Sequence, residues 1–466
     1  MLHHPRPQIL IERAMSQPIR RLTCLILAAL SGCAWGAGVP ATQPSCTLLY
    51  AGHLLDRPGK APREASSVLL CDGKLASIKD GFVEPSVFSE ATGEVTLIDL
   101  RALFVLPGLI DSHVHLASDV AGVQGQLEDV TLNIADVAFN AAVNARKTLS
   151  AGFTTVRNLG DANGVTLALR DAIAAGKMAG PRIVDAGTPI STTAGHMDAT
   201  LGYREDLHAA LNTEDNLCDG ADACRRAVRR QIGRGVDVIK IATTGGVNSR
   251  IGAGIGQQMF DDEARAIVET AHLYGKKVAV HAHGSDGIAL ALRAGADSIE
   301  HGTLINAESL KLFRSSGAYY VPTLSTVNGY LERIKNNPEA YTPVVRAKIE
   351  WRISVTGKAL QQAVPAGVKI AFGTDAGVSL HGRNADEFEL MVKHGMSSSQ
   401  AIAAATVNAA DLLGLSAEIG SLEVGKQADL IAVAGDPLSD VTTLKQVHFV
   451  MKGGAVFKMA AEEITR

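Results

Sequence analysis

Between residues 105 and 420 the chain alternates, unit after unit, between a short apolar run and a segment of helical periodicity, and few folds accept that order. Eight apolar runs stand out, at 109–115, 154–158, 182–186, 237–242, 277–283, 298–301, 318–324 and 369–375. Their length and bounding Gly, Pro and Asp residues suit strands. Helix signals separate most of them. Segment 261–274 opens on Asp261 as a cap and closes before Gly275; 286–294 opens on Asp286 and closes before Gly295; 222–232 opens on Asp222 and closes before Gly233. Eight such units predict an α/β fold, a closed (β/α)8 TIM barrel. The alternative is an open doubly wound sheet. No GxGxxG opens a first helix after a first strand, which weighs against a dinucleotide-binding version.

The two ends have a different texture. Runs at 47–50, 67–70, 75–78 and 95–98, and again at 429–433, 447–451 and 455–458, are short and strand-like without intervening helices. They predict a small β-sandwich domain assembled from 44–104 and 421–460 around the barrel at 105–420. The 46 glycines among 466 residues suit frequent tight strand–helix turns. With 44 Lys+Arg against 48 Asp+Glu, the chain has no basic excess with which to hold nucleic acid.

Residues 1–36 read as an export segment. Arg20 and Arg21 precede an apolar run at 22–30 and then small residues. The run is too short for a permanent membrane span, and Met15 fits the usual start of such a signal better than Met1. Leu30 to Cys33 matches a bacterial lipobox, whose cleavage would leave a lipid anchor at Cys33; ordinary cleavage near Gly36 is the other outcome. The expected location is periplasmic, at the outer membrane, or secreted. Beyond the signal remain Cys46, Cys71, Cys218 and Cys224, an even number that permits two disulfides in an exported protein. Cys218–Cys224 would close a short loop and Cys46–Cys71 would staple two strands; four free buried thiols are the alternative.

In a β/α barrel the chemistry sits at the C-terminal ends of the strands. The first run ends in His113 and His115, which share a face because strand side chains repeat every second residue. The fifth ends in His281 and His283, the sixth in His301, the eighth in Asp375. Lys240 lies inside the apolar VIKI of the fourth, where a buried ammonium is rare unless paired or modified. A single HxH pair is ordinarily a surface or core feature. Such groups at equivalent ends of five strands point instead to a metal site. No GxSxG nucleophile elbow is present.

These residues carry a resemblance. The run LPGLIDSHVH ending at His115, Lys240, His281, His301, the GTDA of 373–376 and the closing GSLEVGKQADLI of 420–431 resemble the amidohydrolase superfamily, in its imidazolonepropionase-like and Xaa-Pro dipeptidase-like branch. The resemblance spans about 47–458. It implies two divalent metal ions, usually zinc. His113, His115 and Asp375 would hold one, His281 and His301 the other, and a carboxylated Lys240 would bridge them. It also implies attack on an amide carbonyl by a metal-bridging hydroxide, with Asp375 moving the proton and His283 left for substrate and oxyanion.

The exported members that this chain resembles cleave an amide or peptide bond next to a free carboxylate, as carboxypeptidase-like or dipeptidase-like enzymes. The chain is also similar to bacterial amidohydrolases that split ochratoxin A into ochratoxin α and phenylalanine. Such a small-molecule or dipeptide-like substrate needs donors for its carboxylate. Arg250, His196, His381 and Arg383 are the candidates, and Ser118 and Tyr320 are candidates to line the pocket. Each has an ordinary reading as a loop or packing residue, and Arg157 reads as half of a structural ion pair. The alternatives are a cyclic-amide hydrolase and a non-catalytic binding protein on the same barrel. Many barrels of this type form homo-oligomers, though no sequence feature here requires it.

Overall fold

A computed structural model describes residues 46–466, apart from 92, 162, 213–215, 251–253, 460–461 and 464–466. The export segment, Cys33 included, lies outside the described residues. Four strands open the described chain: β1 (Cys46–Leu54), β2 (Ser66–Cys71), β3 (Lys74–Asp80) and β4 (Val95–Pro107). The alternating middle supplies β5 (Leu109–Val114), β6 (Phe153–Asn158), β7 (Arg182–Asp185), β8 (Val238–Ala242), β9 (Lys277–Ala282), β10 (Ser298–His301), β11 (Tyr319–Val321) and β12 (Lys369–Ile370). The C-terminal part adds β13 (Leu430–Val433), β14 (Val447–Lys452), β15 (Ala455–Met459) and β16 (Glu462–Glu463).

Both ends share one sheet, in the order β16-β15-β14-β13-β4-β1-β2-β3. The two halves meet where β13 runs antiparallel to the end of β4, Leu430 opposite Pro107 and Val433 opposite Phe104. Alternation sorts the side chains of β1. Leu49 and Ala51 enter one apolar cluster with Val68 and Phe449, while Leu48 and Tyr50 enter another with Leu69 and Phe88. Cys46 and Cys71 face each other across β1 and β2 and form a disulfide. A second, Cys218–Cys224, ties a loop to the first turn of the helix Ala221–Gly233.

The middle is a TIM-barrel-like α/β arrangement. β5, β6 and β7 form one parallel sheet, and β8 to β12 another. Backbone bonds span both gaps between them. Ile190 N donates to Lys240 O at 2.8 Å and Asp237 N to Asp185 O at 2.8 Å; on the other side Ser112 N reaches Phe372 O at 2.9 Å and Asp375 N reaches His113 O at 2.8 Å.

Three local expectations shift. β11 stops at Val321 rather than 324, because Thr323 takes a left-handed φ of 48° and the amides of Leu324 and Ser325 turn to the Glu387 carboxylate. β12 covers two residues rather than seven. Gly373 packs where an added Cβ would lie 2.4 Å from Val321, and Asp375 itself adopts a φ of 57°. The acidic residues expected as helix caps sit inside the first turn instead. Asp261 follows Phe260, whose amide is satisfied by Glu263; Asp222 and Asp286 each stand two residues after a capping glycine, Gly220 and Gly284. There they face the positive end of the helix dipole.

Candidate active site

The strand ends converge on a cavity of about 200 Å³. His113 and His115 come from the end of β5 and the residue after it, Lys240 from β8, His281 and His283 from β9 and just beyond it, His301 from the end of β10, and Asp375 from the irregular turn after β12. They form two groups. In one, ligand atoms of His113, His115 and Asp375 lie within 4.8 Å of one another; in the other, those of His281, His283 and His301 do so. Asp375 Oδ1 is 3.4 Å from His113 Nε2 and 3.2 Å from His115 Nε2. Lys240 is buried, and its Nζ has no hydrogen-bond partner among the described residues.

Hydrogen bonds to a carbonyl or carboxylate choose the tautomer of three of the rings. His115 Nδ1 lies 3.0 Å from Gly160 O and His281 Nε2 lies 3.3 Å from Gly245 O; a carbonyl only accepts, so these nitrogens donate. That leaves a lone pair on His115 Nε2 and on His281 Nδ1. His113 Nδ1 lies 2.9 Å from Glu300 Oε2. Burial pulls the Glu300 carboxyl upward, but Arg157 and His113 hold it at about 2, so it too accepts and His113 Nε2 is left bare. Thr303 and Thr323 hydroxyls hold Nδ1 of His283 and His301, each at 2.7 Å. Burial pushes His113 down to about 4 and His281, His283 and His301 well below their usual range. Neutral imidazoles with inward lone pairs are the ligating form. The donor set therefore fits divalent metal.

The supporting shell is buried and ionic. The Arg157 guanidinium donates to Ser112 O at 2.6 Å, Ser298 Oγ at 3.1 Å and Glu300 Oε1 at 2.9 Å, so it forms a structural ion pair behind His113. Asp111 accepts from the amides of His113 and Thr374, and from Thr374 Oγ1 at 2.6 Å. His301, Thr323 and Asp375 all have positive φ, a conformation that costs non-glycine residues about 1–3 kcal/mol each and gathers at functional sites. Opposing charges also settle Asp375: burial would raise its carboxyl, yet His113, His115 and Lys240 bring it to about 2.

The remaining sequence candidates disperse. His196 lines the same cavity, its Nδ1 2.6 Å from Ser249 Oγ and its ring 4.1 Å from that of His281. Gly246 is required there, since an added Cβ would come within 2.1 Å of the His196 ring. Arg250 and Ser118 line a second, larger cavity of about 500 Å³, where Arg250 stacks on Tyr203 at 4.0 Å and Ser118 Oγ bonds to Val120. His381, Arg383 and Tyr320 line neither. His381 braces the strand end from behind through His115 O at 3.0 Å and Thr148 Oγ1 at 3.2 Å. Arg383 is exposed and paired with Glu332 and Asp386. The Tyr320 hydroxyl donates to His301 O at 3.2 Å.

Several cavity residues escape a strand-end reading because they come from the segment between β11 and β12. The helices Thr326–Asn336 and Pro343–Ser354 bring Tyr330 and Arg352 into the cavity, and the Trp351 ring meets that of His283 at 6.3 Å. Lys348 Nζ donates to Gly246 O and Ser249 O, tying this segment to the loop after β8. One signal was available: Arg352 falls seven residues after Val345, on the helix face that also carries Ile349.

Clustered imidazoles, a strand-end aspartate and a buried lysine whose Nζ has no partner among the described residues form, at the mouth of a TIM-barrel-like sheet, a site that could hold metal, as in hydrolases of this fold. The sequence pattern of the Amidohydrolase family matches residues 104–456, and the chain belongs to that family. It is similar to ochratoxinase of Aspergillus niger, 33% identical over 432 residues that cover 89% of this chain and 87% of that enzyme. The crystal structure of A. niger ochratoxinase superposes with a TM-score of 0.76 at 30% identity, covering 90% of this chain and 96% of the other. A Xaa-Pro dipeptidase crystallised with methionine bound in its active site superposes with a TM-score of 0.83 at 40% identity, covering 89% of this chain and all of the other. The chain is thus a hydrolase acting on amide bonds.

Proposed function

We propose that this protein is an exported binuclear metal-dependent amidohydrolase that cleaves an amide or peptide bond next to a free carboxylate. The observation that carries the reading is the pair of donor groups, His113, His115 and Asp375 beside His281, His283 and His301, in one cavity with a buried Lys240 whose Nζ has no hydrogen-bond partner among the described residues. A lone ammonium is costly there, whereas a lysine carboxylated by CO₂ is an anion that two cations would stabilise. His113, His115 and Asp375 would hold one ion, His281 and His301 the second, and modified Lys240 both. Two divalent ions, zinc by the chemistry of the donors, would supply an acidified water and a polarised carbonyl.

The chain's own groups do the rest. Asp375 takes the proton of the attacking water and delivers it to the leaving nitrogen. The Thr303 hydroxyl can donate to His283 Nδ1, which leaves His283 Nε2 protonated to donate to the carbonyl oxygen as it gains charge. The larger cavity, bordered by Leu132, Ile134 and Val137, suits a bulky apolar acyl group. That feature and the likeness to ochratoxinase put ochratoxin A among the substrates. We also propose the finer architecture: β5 to β12 close as a (β/α)8 barrel, supported by the bonds across both sheet gaps, and 44–104 with 421–460 form a sandwich domain. Residues 1–36 would direct export, which mass spectrometry of the mature N-terminus tests.

The experiment for the activity is a panel of N-acyl amino acids, dipeptides and ochratoxin A with zinc-loaded protein. Hydrolysis with about two zinc per chain, lost on chelation, is expected. A metal-free protein of normal stability that turns over none of the panel would overturn the reading.

A further inference from the structure

Arg352 stands where a helix normally buries an apolar side chain. Val345, Ile349 and Arg352 form the buried face of the helix Pro343–Ser354, and Arg352 is 3% exposed. A buried guanidinium has five donors to satisfy. Arg157, equally buried, satisfies its own with a carboxylate, a hydroxyl and a carbonyl. Arg352 has a single long bond, Nη2 to Thr323 O at 3.4 Å, and among the described residues it forms no ion pair. Its side chain lines the cavity that His283 and Asp375 also line.

The charges around that cavity are lopsided. Lys240 and Arg352 both border it, and Asp375 is the carboxylate that borders it among the described residues. Lys348, one turn before Arg352, is already spent on Gly246 O and Ser249 O. Asn248 lines both this cavity and the larger one, and its Oδ1 is buried without a partner. Asn248 thus borders both cavities, which places the two side by side.

We propose that Arg352 receives the free carboxylate of the substrate, and so selects amides whose amine half is an amino acid. The inference rests on the amide-hydrolase reading above and assigns the polarity of binding. The amino acid occupies the small cavity, its side chain against Met197, Val247 and Val378, and the acyl half lies in the larger cavity. A planar guanidinium matches a carboxylate with two parallel bonds, which lysine cannot reproduce.

The test compares an N-acyl-phenylalanine with its C-terminal carboxamide, following acyl release by zinc-loaded wild type, Arg352→Lys and Arg352→Gln. The wild type should prefer the acid by about 100-fold or more in kcat/KM, the scale for a site built around a charged group that the analogue lacks. Arg352→Gln should shrink that preference below about 5-fold, with Arg352→Lys between. Calorimetry with free phenylalanine gives a readout without turnover: binding should weaken in Arg352→Gln by a similar factor. Unchanged preference and unchanged phenylalanine affinity in Arg352→Gln would overturn the assignment, as would a wild type indifferent to carboxamide replacement, a result that stands even if the glutamine variant fails to fold. Phenylalanine binding that depends on Arg352 in a protein that hydrolyses no N-acyl amino acid would uphold the carboxylate site and overturn the hydrolase reading instead.

Discussion

Replacing Glu300 by glutamine isolates one job of the buried shell. Glu300 Oε1 accepts from Arg157 Nη2 at 2.9 Å and from Ser298 Oγ at 2.5 Å, while Oε2 accepts from His113 Nδ1 at 2.9 Å. A glutamine of the same shape can keep the first two bonds with its carbonyl oxygen. Its amide nitrogen then faces His113 Nδ1, donor against donor. The ring answers by moving its proton to Nε2, the nitrogen that lies on the Asp375 side. A protonated nitrogen cannot ligate. Loss of such a supporting partner typically weakens metal binding 10–100-fold, about 1.4–2.8 kcal/mol, and the tautomer reversal places Glu300→Gln near the upper end. Stability should fall less than in Arg157→Met, which strands a buried carboxylate and should cost about 3–5 kcal/mol. Zinc titration of the metal-free variants against a chromophoric chelator, paired with denaturant unfolding, measures both. A zinc affinity for Glu300→Gln within threefold of wild type would refute the tautomer argument.

Lys240→Met should cut zinc content and abolish turnover, and short carboxylic acids should partly rescue Lys240→Ala; full turnover without rescue would remove the bridging role. In metal-stripped protein the same methionine should stabilise. Burial lowers the lysine from 10.5 to about 8, so below pH 8 the charged form carries a penalty of about 3 kcal/mol, which fades as pH climbs toward 10.5. The stability gap between Lys240→Met and wild type should therefore close over that range, and a pH-independent gap would contradict it. Asp375→Asn should keep the fold and lose most of kcat, about 10²–10⁴-fold for a general base, checked by steady-state kinetics beside a thermal melt. His283→Ala should retain both metals and turn over slowly, while His281→Ala should lose metal; the reverse pattern in metal analysis would exchange their roles.

Much of the site could be picked out before any coordinates, because strand geometry is local. Period two puts His113 with His115 and His281 with His283, and a lysine inside VIKI is anomalous wherever the strand lies. The alternation of apolar runs with capped helices likewise carries the barrel-like order. What the chain alone could not rank were the loop candidates. Arg383 and Arg250 look alike in sequence, yet one is paired in solvent and the other stacks on Tyr203 beside the larger cavity. Arg352 gives only a weak signal, its place on the Val345 and Ile349 face, since a cation on a helix is usually a solvated one.

Sequence by itself determined the strand-end groups and their spacing, since both follow from a repeat of two residues along one strand. Tertiary structure decided which nitrogen of His113, His115 and His281 is left free to ligate and which buried arginine is left without an ion pair among the described residues. Those outcomes depend on groups distant in the chain: Gly160 for His115, Glu300 for His113, Thr323 for Arg352. A hydrogen bond between residues so far apart in sequence exists only once the sheet has brought them together, so no local pattern can encode it.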